Sequence, residues 1–194
     1  FPLVVHNRSR AAVDELAAEG ATAAFSPAEV ARQVDVVFTN LPDSPDIEQV
    51  VLGPDGILQG AHPGLIWVDN STIKPATARE VARRLAEVGA ASLDAPVSGG
   101  DIGARNGTLA IMVGGPAEAL ETVRPIFEVM GKTITHVGDS GSGQVAKAAN
   151  QIMVAAQMVA MGELLVLAQK SGADPVKVIQ AIRGGAAQCW TLDV

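Results

Sequence analysis

The stretch LIWVDNSTIKPATAREVARRLAEVGAASLDA, residues 65–95, decides the fold. Leu65 to Asp69 is a compact apolar run, and Lys74-Pro75 opens a helical pattern that runs to Val88 and stops at Gly89. Proline suits a first helical position and glycine the residue just past a helix end. Ala91 to Ala95 is apolar again, so the stretch reads as strand, helix, strand with short connections, a unit that lays two strands side by side and parallel. The same rhythm continues outward on both sides. Further strands are expected at Leu3 to Val5, Val34 to Phe38, Leu109 to Val113 and Ile134 to Val137, with a weaker one near Ala21 to Ala24. Ser26-Pro27-Ala28-Glu29 reads as a capping box, and Pro116 opens another helix that ends at Gly131. The alternation predicts an α/β fold built on a doubly wound, mostly parallel sheet.

The rhythm changes after Gly138-Asp139-Ser140-Gly141-Ser142-Gly143, where one helical pattern runs unbroken to Ser171-Gly172. A domain boundary is expected there, giving an α/β domain over 1–140 and the start of an all-α domain over 141–194. The apolar stretch from Ile152 to Leu167 is interrupted by Gln157 and Glu163, so it reads as a buried helix of a soluble protein rather than a membrane span. With apolar residues on nearly every face, it is expected to be buried between two domains or two subunits, which points to a homodimer or homotetramer. Asp174-Pro175 caps a further helix through Arg183. A chain that opens on Phe1 without Met, and stops at Val194 soon after Gly184-Gly185, reads as a fragment.

Of 194 residues, 48% are hydrophobic, enough to bury a sizeable core. Acidic residues outnumber basic ones by 21 to 14, and the basic ones are scattered, which argues against a nucleic-acid-binding face and for a small-molecule ligand. Cys189 is the single cysteine, so no internal disulfide forms and a reducing cytoplasm is the expected home. No metal-ligand spacing occurs.

Three groups of residues are candidates for chemistry. Asn7-Arg8-Ser9 ends the opening strand, where a dinucleotide fold holds the adenosine ribose and an Arg accommodates a 2′-phosphate; a solvated turn fits these residues equally well. Asp94-Ala95-Pro96-Val97-Ser98-Gly99-Gly100 is a strand ending in small residues, whose peptide N–H groups and Ser98 hydroxyl can converge on a carboxylate. Alternatively it is a tight turn in which glycine merely permits positive φ. Lys147, in the first turns of the long helix, shares a face with Asn150 and Gln151. A buried amine costs several kcal/mol unless paired or neutralised, and burial tunes it toward proton transfer near neutral pH. A lysine snorkelling into water is the other reading.

Taken together these strings, with Leu41-Pro42-Asp43-Ser44, Asp69-Asn70-Ser71-Thr72 and Thr108 to Gly115, resemble the β-hydroxyacid dehydrogenase family over essentially the whole chain. The resemblance implies a Rossmann-like domain, a nicotinamide cofactor, and interconversion of a short β-hydroxyacid and its semialdehyde. It makes Lys147 the proton-transfer residue, gives Ser98, Gly99 and Gly100 to the substrate carboxylate, and gives the amide of Asn150 or Gln151 to the substrate's oxygens. Leu41, Pro42 and Thr72 match positions lining the cofactor, with Asp46 nearby, and Asn7, Arg8 and Ser9 match an NADP-type ribose turn, so NADP is expected ahead of NAD. Tartronate semialdehyde (2-hydroxy-3-oxopropionate) is the first substrate expected, with 3-hydroxyisobutyrate, or another semialdehyde or glyoxylate, as the alternative within the same family.

The family's G-x-G-x-x-G phosphate loop and first strand would lie before Phe1, and the rest of the helical domain after Val194. The chain as it stands is therefore expected to bind cofactor weakly and to be inactive by itself. Imine reductases share the arrangement but usually replace the lysine, and 6-phosphogluconate dehydrogenase carries a histidine in the segment where this chain has none. A non-catalytic scaffold that keeps the fold is the alternative of another class.

Overall fold

The structure is a computed structural model that describes residues 1–193. It divides into two compact units, Phe1–Lys147 and Ala148–Val194. The first unit opens with β1 (Val4–Val5), α1 (Arg10–Ala18), β2 (Thr22–Ala23), α2 (Pro27–Ala31), β3 (Val36–Thr39), α3 (Ser44–Leu52), α4 (Ile57–Gly60), β4 (Ile66–Asp69) and α5 (Pro75–Ala86). It continues with β5 (Ala91–Asp94), β6 (Val97–Ser98), α6 (Gly100–Arg105), β7 (Leu109–Gly114), α7 (Ala117–Met130) and β8 (Gly131–Gly138), and holds the start of α8 (Ser142–Lys170). The second unit holds the remainder of α8, then α9 (Pro175–Ile182) and a 3₁₀ turn over Trp190–Leu192.

Each helix start has a local cause. Ser26 Oγ accepts the Glu29 N–H at 3.1 Å, the capping contact expected from sequence. Proline occupies an early helical position in α2, α3, α5 and α9. The helices α1, α3, α4 and α6, each nine residues or shorter, add to the elements expected from sequence.

Six strands form the main sheet in the order β3-β4-β5-β7-β6, with β8 beside β7. The pairs β3-β4, β4-β5 and β7-β8 are parallel, whereas β5 and β6 both run antiparallel to β7. The reversal follows from the chain path. β5 continues through Pro96 into β6, and α6 returns the chain beside that line so that β7 runs back along it. β1 and β2 form a separate parallel pair.

The central strand shows why residues 65–68 are apolar throughout. Leu65 and Trp67 pack into one cluster with Ile47, Val81 and Leu85, while Ile66 and Val68 pack into another with Ile111, Val123 and Phe127. Alternate side chains thus enter cores on opposite faces, as in a strand covered by helices on both sides. Phe38 meets Phe127 edge to face at 6.0 Å between ring centres.

Polar groups collect where the parallel strands end. Asp69, the last residue of β4, is fully buried, and its Oδ1 accepts from Thr39 Oγ1 at 2.8 Å, Ser71 Oγ at 2.6 Å and Ser71 N at 3.1 Å. Among the described residues its Oδ2 is buried without a partner. Burial pushes the Asp69 carboxyl above its usual range, outweighing the Ser71 and Thr39 hydrogen bonds that pull it down.

In the second unit Asp174 caps α9 by accepting the Val176 N–H at 2.9 Å, and Thr191 donates to Gln157 at 3.2 Å. The burial expected for the long helix is not met within this chain. Ile152 is 70% exposed and Leu167 69%, and Met153, Met158 and Val159 also face outward. The reason is geometric: the short α9 and the 3₁₀ turn are too small to cover a helix apolar on nearly all faces. By length and composition alone α8 would suffice to cross a membrane, although Gln157 and Glu163 lie within it.

Two outcomes are expected. Trp67→Ala removes the largest fully buried side chain and should cost about 3–5 kcal/mol of stability, read as a lower urea midpoint. A loss under about 1 kcal/mol would show that β4 is not the packing centre. Asp69 has a folded pKa raised above its unfolded value, so the stability it contributes is full in acid and is lost as pH rises through the folded value. Asp69→Asn cannot titrate, so its stability relative to wild type should improve as pH climbs above the ordinary carboxylate value. A difference that stays flat with pH would contradict this.

Candidate active site

β5 ends in Asp94, whose side chain is 3% exposed and points at the start of α8. Its Oδ1 accepts the Gly141 N–H at 2.7 Å and its Oδ2 accepts the Gln144 N–H at 2.9 Å. Burial nevertheless raises the carboxyl above its usual range, more strongly than these hydrogen bonds lower it. The approach is close because Gly143 has no side chain: a Cβ there would run into the backbone oxygens of Asp94 and Met112. Gln144 is itself buried, and its side chain accepts the Ile73 N–H at 3.0 Å and donates to the Ser71 carbonyl at 2.8 Å.

Lys147 follows Gln144 by three residues, so both project from the same side of the helix. Its Nζ donates to the Val97 carbonyl at 2.7 Å, and the side chain is half-buried. Burial holds the ammonium below the usual lysine range. Among the described residues Lys147 forms no ion pair. The amine expected from sequence thus lies next to the expected turn and not in open solvent.

Ser98 lies in β6, paired with Ala110, rather than in a loop. Gly99 and Gly100 follow with φ of +134° and +63°, so the tight-turn requirement for glycine is real here. Both glycines are exposed, which leaves their backbone open to a ligand. An amine with no carboxylate partner, beside exposed peptide groups and a hydroxyl, can move a proton at an oxygen held in that turn.

Leu41 follows β3, and its N–H donates to Ser71 Oγ at 2.8 Å, tying it to the segment that carries the exposed Thr72. Pro42 is exposed, and Asp46 is half-buried in the first turn of α3, which Asp43 caps. Asn7, Arg8 and Ser9 are exposed between β1 and α1, and Arg8 forms no ion pair among the described residues. Asn150 and Gln151 belong to the second unit, where Asn150 donates to Gln151 at 2.9 Å.

The structure therefore gathers Leu41 with Ser71-Thr72, and Lys147 with Val97-Gly100, each just past the carboxyl end of a parallel strand. That is where open α/β sheets bind ligands. These residues fit the nicotinamide end of a dinucleotide, and the exposed Arg8 fits a ribose phosphate, while no G-x-G-x-x-G loop occurs within the chain. Sequence reasoning missed Asp94 and Gln144 as anchors of the helix. A carboxylate closing an apolar strand was a visible signal, but its amide partners lie 47 and 50 residues away.

Residues 1–138 match the family described as the NAD binding domain of 6-phosphogluconate dehydrogenase. Residues 141–194 match the family described as the NAD-binding of NADP-dependent 3-hydroxyisobutyrate dehydrogenase. The chain is 46% identical to 2-hydroxy-3-oxopropionate reductase of Escherichia coli over 93% of its own length and 62% of that protein. It is 42% identical to NAD-dependent L-serine dehydrogenase of Pseudomonas aeruginosa over all of its length and 65% of that protein. The solved structure of Mycobacterium tuberculosis 3-hydroxyisobutyrate dehydrogenase with L-serine superposes with a TM-score of 0.86 at 37% identity, covering 94% of this chain and 62% of that one. With family models spanning both units and the fold shared, this chain belongs to the β-hydroxyacid dehydrogenase family.

Proposed function

We propose that the protein is an NADP(H)-dependent oxidoreductase that interconverts a short β-hydroxyacid and its semialdehyde, with 2-hydroxy-3-oxopropionate as the substrate. The observation that carries this reading is the Lys147 Nζ, 2.7 Å from the carbonyl of Val97 and directly ahead of Ser98-Gly99-Gly100. In the reductive direction Lys147 delivers a proton to the aldehyde oxygen, and its lowered pKa makes the ammonium a readier donor. The Ser98 hydroxyl and the peptide N–H groups of Gly99 and Gly100 hold the substrate carboxylate. Asn150 and Gln151 orient the substrate's oxygens. The nicotinamide supplies the hydride when bound.

Leu41, Pro42, Asp46 and Thr72 line the cofactor in this reading, and Asn7, Arg8 and Ser9 face its adenosine ribose. The match of residues 141–194 to an NADP-dependent family supports NADP over NAD. Residues 1–140 form the nucleotide-binding domain and 141–194 the start of a helical domain. The outward apolar side chains of α8 support a homodimer or homotetramer formed through that helix, and the single cysteine fits a reducing cytoplasm.

A second substrate reading is favoured by the relative named NAD-dependent L-serine dehydrogenase, L-serine being itself a β-hydroxyacid, and by the 3-hydroxyisobutyrate dehydrogenase solved with L-serine. A panel of short semialdehydes and hydroxyacids, run on the full-length protein with each cofactor, separates them. Highest kcat/KM on 2-hydroxy-3-oxopropionate with NADPH is expected. A preference for L-serine or 3-hydroxyisobutyrate with NAD would replace the first substrate and cofactor.

Lys147→Ala should lower kcat by about 10²- to 10⁴-fold while leaving cofactor affinity nearly unchanged, because it removes the proton-transfer group only. Turnover near the wild-type rate would remove Lys147 from that role. Arg8→Asp should lower the ratio of NADP to NAD efficiency by about tenfold or more, equivalent to ~1.4 kcal/mol. An unchanged ratio would show that Arg8 does not read the 2′-phosphate.

A further inference from the structure

We infer that Asp94 is a positioning residue for Lys147: its carboxylate fixes the first turn of α8 and so sets where the amine stands against the Val97-Gly100 turn. This inference rests on the proton-transfer role proposed for Lys147.

Asp94 sits at the root of both halves of the site. Through its own backbone it begins the segment Ala95-Pro96-Val97-Ser98-Gly99-Gly100, and through its side chain it binds the Gly141 and Gln144 amides at 2.7 and 2.9 Å. The helix that those amides start then carries Lys147 back to the Val97 carbonyl at 2.7 Å. The path from Asp94 to the turn is three residues of chain, and the path from Asp94 to the amine is one helical turn, so the two reacting elements share one anchor. Little slack is available. A Cβ on Gly143 would strike the backbone of Asp94, and a Cβ on Gly114 would lie 2.6 Å from Asp94 Oδ1 and 2.9 Å from Ser142 N. Gln144 adds a second tie, to the backbone on both sides of Thr72.

An ordinary helix leaves the first few N–H groups without intrahelical partners. Here a buried carboxylate takes two of them with separate oxygens. A neutral amide of the same shape retains one acceptor oxygen but puts an NH₂ group against a backbone N–H, so Asp94→Asn keeps the packing and breaks one of the two bonds. The first turn can then shift by a fraction of an ångström, and displacement of a catalytic group by about 1 Å can cost ~10²-fold in rate.

The test uses the full-length protein with Asp94→Asn, Lys147→Ala and the double variant, measured for kcat, KM and cofactor Kd. Asp94→Asn is expected to lower kcat about 10- to 100-fold with the cofactor Kd unchanged, and the double variant to be no slower than Lys147→Ala alone. Normal kcat in Asp94→Asn alongside an inactive Lys147→Ala would overturn the positioning role and leave the proposed function standing. Losses that multiply in the double variant would also overturn it. Full activity in Lys147→Ala would instead sink the proposed function, and this inference with it. Should Asp94→Asn fail to fold, native-state hydrogen exchange on the wild-type protein decides: the Gly141 and Gln144 amides are expected to be strongly protected, and exchange as fast as at an uncapped helix start overturns the proposal.

Discussion

The contact on which the first unit depends is the pair of hydrogen bonds from the Asp94 carboxylate to the amides that begin α8. Bonds from an ionised acceptor are roughly twice as strong as neutral ones, and a helix start carries partial positive charge that suits a carboxylate. Against this stands desolvation, since the side chain is almost completely buried. The net pKa direction is upward, so burial wins over hydrogen bonding in the local balance. An anchor of this kind contributes placement more than stability, because removing either side leaves buried polar groups unpaired.

Asp94 is one member of a layer. Thr39, Asp69 and Asp94 close β3, β4 and β5, and Asp69 and Asp94 are in register across neighbouring strands. A parallel sheet covered on both faces has apolar strand interiors and releases its chain at the carboxyl ends, so polar groups must be resolved there. This one is resolved by local loops: Ser71 serves Asp69 and the Leu41 amide, while Gln144 serves Ser71 and Ile73. Such a network fixes the backbone of the loops that would meet a ligand, and it does so with groups that do not themselves need to touch it.

The parts legible in sequence were those with a local cause. Leu65 to Asp69 read as a strand because four successive apolar residues end in an acid, and Ser26, Pro75 and Asp174 marked helix starts through their own side chains. Lys147 was legible because an amine on a greasy helix needs a reason to be there. The antiparallel entry of β7 was not, since it depends on β6, two residues long and written in the same small residues as a turn. Asp94 and Gln144 were hidden by distance along the chain: their partners lie 47 to 73 residues away. What covers α8 was not legible, because apolarity says that a helix must be covered, and not whether the cover belongs to the same chain.

The state of the Lys147 amine follows from what Asp94 is doing elsewhere. A carboxylate beside an ammonium favours the charged form and raises its pKa, whereas a carbonyl acceptor compensates the charge only in part. Asp94 has both oxygens turned to backbone amides, and Lys147 is left with the Val97 carbonyl. Desolvation then acts on the amine without an opposing ion pair, which is why its pKa falls. Had the same carboxylate paired with the lysine, the helix start would lose its cap and the amine would be locked in its charged form, a poor donor at neutral pH. Committing the acid to the helix amides therefore places the amine and keeps its proton transferable.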